Sequence, residues 1–68
     1  MIPKTLQAIQ ADPRVDDIVD ERDTGDGYWV YLKPGWYNPV DGLTMIHEWN
    51  VRDVLAKYRQ IKPAPDGI

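Results

Sequence analysis

The chain has 68 residues, a formal net charge of −3, three Trp, four Tyr, no Phe and no Cys. A chain of this length forms one small domain, and without Cys it has neither a disulfide framework nor a thiolate metal site. Acids crowd residues 12–27 (Asp12, Asp16, Asp17, Asp20, Glu21, Asp23 and Asp26) while Arg52, Lys57, Arg59 and Lys62 gather near the other end, a footprint too weakly basic for generic duplex nucleic acid, whose binding rests on many phosphate contacts.

Leu6 and Ile9 stand three apart behind Pro3, a residue tolerated in a first helical turn, so a short helix is predicted over 3–11, with Ile2 extending its apolar stripe. Asp12-Pro13 either ends this helix or caps another. In Val15–Arg22 the apolar residues Val15, Ile18 and Val19 break strict alternation, yet their β-branched character favours a strand. The polar turn at 23–27 then leads into Tyr28–Lys33, the strongest strand signal in the chain. Together the two segments read as a hairpin in which Gly25 or Gly27 supplies a positive φ.

Tyr28, Val30 and Leu32 share one side of that strand, and Trp29 and Tyr31 the other, leaving no purely polar face. Such a strand is covered on both sides or forms part of a binding surface. Pro34-Gly35 stops it, and 36–42 reads as a loop with Asn-Pro and Asp-Gly turn signals. A short third strand is expected at 43–47. Asn50 is placed to cap a final helix, with Asp53 at its third position and Trp49 available to staple onto Val54. Val51, Val54, Leu55, Tyr58 and Ile61 form its apolar face.

The expected fold is α+β: a three-stranded antiparallel sheet with an N-terminal and a C-terminal helix packed on it, in the order α-β-β-β-α. Residues 1–62 form the compact domain, and 63–68, rich in Pro, form a flexible tail. No apolar run approaches the roughly 20 residues that span a bilayer, and the first residues lack the basic opening and long apolar core of a signal peptide. A cytoplasmic protein without a membrane partner is expected.

His47 is the single histidine, and the chain contains no Ser. A hydrolase-like or metal-dependent enzyme would need His47 to meet nearby carboxylates, yet in a strand His47 and Glu48 point to opposite faces. The acidic segment does not match a calcium loop, because no closing Glu follows at the required spacing. No metal or other cofactor is predicted. Residues 28–37 hold Tyr28, Trp29, Tyr31, Trp36 and Tyr37, which suit a core, an exposed protein-binding patch, or a stacking surface for single-stranded nucleic acid or sugar.

The favoured expectation is a non-enzymatic interaction or regulatory module. Trp36 and Tyr37 act as apolar anchors, and Asp16, Asp20, Glu21 and Asp23 orient a protein partner with a basic surface. Self-association through an open strand edge is a variant of this reading. An acidic inhibitor that imitates nucleic-acid charge to block a nucleic-acid-binding protein is another alternative.

Overall fold

A computed structural model describes residues 2–65. The elements follow in the order α1 (Lys4–Gln10), β1 (Val15–Glu21), a 3-10 turn (Arg22–Thr24), β2 (Gly27–Leu32), β3 (Trp36–Tyr37), β4 (Met45–Glu48), α2 (Val51–Tyr58) and β5 (Lys62–Pro63). The fold is α+β, with both helices packed on strands. It contains two sheets where one was expected: an antiparallel sheet in the order β1-β2-β4, and a separate ribbon of β3 with β5.

α1 opens at Pro3, whose carbonyl accepts from Leu6 and Gln7 N–H at 3.0 and 2.9 Å. It buries Leu6 and Ile9. Asp12 ends it: its N–H closes back on Ile9 O at 3.0 Å, and its carboxylate turns to the backbone N–H of Arg14 at 2.8 Å. α2 is capped by Asn50, whose Oδ1 accepts from the Asp53 N–H at 2.9 Å while its Nδ2 donates to the Asp53 carboxylate at 2.9 Å. The reciprocal pair resembles a capping box, with the Asn amide in place of the backbone donor.

Strand β1 explains its own broken alternation. Val15 pairs with Leu32 but Asp17 pairs with Tyr31, so Asp16 is an extra residue, a β-bulge. The bulge puts Val15 and Ile18, three apart in sequence, on the same covered side, and leaves Asp16 in solvent. Across β1, β2 and β4 the trio Ile18, Val30 and Ile46 is in register. These residues join Leu6, Ile9, Tyr28, Leu32, Val54 and Ile61 in one buried cluster, against which Val51, Leu55 and Tyr58 pack. Both helices therefore lie on the Val30 side of the sheet.

The hairpin turn uses two glycines of positive φ, Gly25 (81°) and Gly27 (75°). Gly27 is also sterically required, since a Cβ there would meet the Glu48 carbonyl oxygen and come within 2.8 Å of Trp49 Cα. After β2, Lys33-Pro34-Gly35-Trp36 forms a turn closed by Trp36 N–H to Lys33 O at 3.2 Å, with Gly35 at φ 94°. Pro second and Gly third is the signature of a type II turn.

The turn redirects the chain away from the main sheet, which is why Trp36 and Tyr37 pair with Pro63 and Lys62 instead of extending it. Pro63 lacks an N–H and is accommodated at the edge of this short ribbon. Ala64 N–H adds a bond to Gly35 O at 2.8 Å. Of the segment expected as a flexible tail, 66–68 lie outside the described residues.

The third strand of the main sheet begins at Met45, later than expected. Residues 38–43 form a closed loop in which the buried Asn38 accepts from Val40 N–H through Oδ1 at 3.0 Å and donates through Nδ2 to Asp41 at 2.9 Å. Lys57 of α2 fastens the loop, reaching Asp41 at 2.6 Å and Glu48 at 2.5 Å. These bonds raise the Lys57 pKa and lower that of Asp41. No helix among the described residues is long and apolar enough to cross a membrane.

Candidate functional site

The pleat sends alternate residues of the main sheet to the side that carries no helix among the described residues. Register sets them in rows: Asp17, Tyr31 and Met45 form one, and Val19, Trp29 and His47 the next. Beyond these, Glu21 pairs with Gly27, and Trp49 passes close over that glycine.

The aromatic rings on this face form a continuous ladder. The rings of Tyr31 and Trp29 are nearly parallel, with centres 6.3 Å apart. Trp29 and His47 stack at 3.7 Å with an interplanar angle of 6°, and His47 meets Trp49 at 4.4 Å in a tilted contact. Tyr31 is 39% exposed and Trp49 61% exposed, so the two ends of the ladder lie open to solvent.

Hydrogen bonds anchor the His47 and Trp49 half of the ladder. Trp49 Nε1–H donates to Gly25 O at 3.1 Å. His47 Nε2 bonds the carbonyl of Asp26, which calls for the tautomer with the proton on Nε2. Both bonds tie the hairpin turn to the end of β4. The Trp49 ring thus faces the open side, with its indole N–H bonded to the hairpin rather than stapled over Val54. Glu48, next to His47, points to the helix side and pairs with Lys57.

The acids predicted as a docking set are divided between surroundings. Asp16 and Asp23 are exposed at the bulge and at the 3-10 turn. Glu21 is on the open face, opposite Gly27. Asp20 points to the helix side and is forked by Arg22, with Nε at 2.9 Å and Nη2 at 2.7 Å. The Arg22 bonds hold the Asp20 pKa down to about 2. Among the described residues Asp16, Asp17, Glu21 and Asp23 form no ion pair.

Trp36 and Tyr37 are half-buried in the β3–β5 ribbon. Trp36 packs against the core cluster beneath Arg14, whose guanidinium carbon is 5.4 Å from the ring centre, and Lys62 Nζ lies 5.8 Å from the Tyr37 ring centre. Arg14 precedes the first residue of β1 and Glu21 is its last, so at about 3.3 Å per residue the ribbon and the acidic turn stand roughly 20 Å apart. Of the expected docking residues, Trp36 and Tyr37 thus stand toward the end of β1 where Asp16 forms the bulge, and Asp20, Glu21 and Asp23 stand toward its other end.

The open face of the main sheet brings together Asp17, Glu21, Trp29, Tyr31, His47 and Trp49. Their signal in the sequence is parity: residues 29 and 31 in one strand, and 45, 47 and 49 around another, alternate on one face. Among the described residues no cavity opens and no three His, Asp or Glu side chains converge as a metal site. Comparison with protein-family models, curated proteins and solved structures gives no match.

Proposed function

We propose that the chain is a non-enzymatic interaction module that docks a protein partner with a basic surface on the open face of its main sheet. The observation that carries this reading is the ladder Tyr31-Trp29-His47-Trp49, anchored by hydrogen bonds at His47 and Trp49 and exposed at both ends. Rigid Trp and Tyr side chains lose little conformational entropy on binding and dominate interface energetics. Asp17 and Glu21 border the rings without ion-pair partners among the described residues, and the chain carries −3 overall. That charge steers a basic protein toward this face and disfavours nucleic acid.

The test is capture by the tagged full chain from nuclease-treated lysate, compared with a folded Tyr31→Ala/Trp49→Ala double variant. A basic protein retained by the wild type, lost in the double variant and released by salt supports the proposal. Retention that survives the double variant but fails in Trp36→Ala overturns it in favour of the β3–β5 ribbon.

A further inference from the structure

A guanidinium is seated in the same manner twice within this fold. Arg22 lies over Tyr28, 5.2 Å from the ring centre, while Asp20 forks its Nε and Nη2 at 2.9 and 2.7 Å. Arg14 lies over Trp36 and Tyr58, at 5.4 and 5.5 Å, while Asp12 takes its Nε and Nη2 at 3.0 and 2.7 Å. In both seats a carboxylate supplies charge and paired acceptors, and a ring supplies a face that a planar, weakly hydrated cation covers well.

The first seat is built from a direct cross-strand pair, Asp20 opposite Tyr28. The same two strands carry a second Asp–Tyr pair, Asp17 opposite Tyr31. Directly opposed side chains in an antiparallel pair have Cβ atoms about 5 Å apart, so carboxylate and ring address one cation together. Each aspartate is also held by a backbone N–H ahead of it, though at different spacing: Asp20 Oδ1 accepts the Arg22 N–H, two residues on, at 3.0 Å, and Asp17 Oδ1 accepts the Ile18 N–H, one residue on, at 2.8 Å. The difference is the side of the sheet. Asp20 and Tyr28 meet an arginine of their own chain, whereas Asp17 and Tyr31 are exposed on the open face.

We propose that the Asp17–Tyr31 pair, with Trp29 beside it, seats an arginine of the protein partner as Asp20–Tyr28 seats Arg22. This rests on the docking proposed above and names the side chain recognised there. Glu21 stands four residues further along β1, roughly 13 Å away. An extended partner segment with two arginines four residues apart meets Asp17 with one and Glu21 with the other. Lysine presents a compact, strongly hydrated charge that neither forks a carboxylate nor covers a ring as a plane.

The experiment is a titration of the ¹⁵N-labelled full chain with a capped Gly/Thr peptide carrying two arginines four residues apart, and with its lysine counterpart. The expected result is a set of shifts at Asp17, Tyr31 and the Trp29 indole, with the lysine peptide about fivefold or more weaker. Asp17→Asn keeps the acceptor for the Ile18 N–H and removes only the charge. It and Tyr31→Leu each weaken the arginine peptide about fivefold, while Tyr31→Phe retains binding because the ring remains. Equal binding of both peptides on this face overturns the arginine seat and leaves docking by charge intact. Absence of shifts on this face overturns the seat as well. Capture through Tyr31 and Trp49 then decides separately whether the docking proposal stands, and self-association lost in that double variant identifies a second copy as the occupant.

Discussion

The two sides of the main sheet are made from the same strands and are nearly equally rich in large side chains, yet they have opposite fates. On one side Ile18, Val30 and Ile46 have no measurable or very little exposure, beneath both helices. On the other, Trp29, Tyr31, His47 and Trp49 stack on one another with nothing from the described helices above them. Burial against helices centres the first side on the aliphatic row Ile18, Val30 and Ile46, with the polar groups of Asp20, Tyr28 and Glu48 in the row at its end. Stacking lets the second side keep aromatic residues whose polar tips reach backbone carbonyls or water.

Breaking the covered side is expected to have the largest effect. Ile46→Ala removes a fully buried side chain from between the helices and the sheet, and should cost about 3–4 kcal/mol, enough to leave a domain of this size largely unfolded in a urea titration. Gly27→Ala follows at about 3 kcal/mol, because positive φ and a backbone collision act together. Gly25→Ala, with similar φ and open space around it, should cost only about 1 kcal/mol. Measured equality of the two glycine variants would refute the packing of the hairpin turn against Glu48 and Trp49.

Acid sharpens the comparison through the Asp12 fork. Arg14 first, and then the Tyr58 hydroxyl at 2.5 Å, hold the Asp12 carboxyl well below the usual range. A carboxyl whose folded pKa is depressed contributes stability above its unfolded pKa of about 4, and loses it as pH falls toward the folded value. Thermal midpoints should therefore drop as pH falls below about 4. Asp12→Asn should be less stable than wild type at neutral pH and should lose less on acidification. Asp20 has the same sign, but its Arg22 partner is half exposed, so Asp20→Asn should move the acid profile less.

The smallest effect belongs to the open side. Trp49→Phe removes the N–H that bonds Gly25 O but keeps an aromatic ring, and should change stability by under about 1 kcal/mol while loosening the hairpin turn. Hydrogen exchange at Gly25 to Gly27 provides the readout. A loss as large as that of Ile46→Ala would mean that the ladder is a second core.

Much of the local structure was legible. The Asn50–Asp53 cap, the apolar stripe of α2, the glycines of the hairpin and the end of β2 at Pro34-Gly35 each depend on residues a few positions apart. Trp49 departs from the staple expected of a residue just before a helix cap, because its indole N–H bonds the hairpin turn. Trp36 and Tyr37 look like loop in the sequence because a two-residue strand shows no alternation, and its partner lies at Lys62–Pro63. In the sequence, the crowding of rings in 28–37 points to Trp36 and Tyr37 as anchors, and the acids of 16–23 as their charged companions. The actual ladder joins Trp29 and Tyr31 to His47 and Trp49, which only β2–β4 pairing brings together.

By itself the sequence determined the two helices, the hairpin of β1 and β2, the α2 cap and the glycine turns, and the fact that β2 has no polar face, because φ preferences, capping bonds and side-chain period act within a few residues. Only the tertiary structure decided which face of β2 the helices cover, that Asp20 meets an arginine while Asp17 meets solvent, and that His47 joins a stack of tryptophans. Those outcomes follow from strand register and helix placement, in which residues far apart in the chain compete to bury the same surface, and no local preference ranks the alternatives.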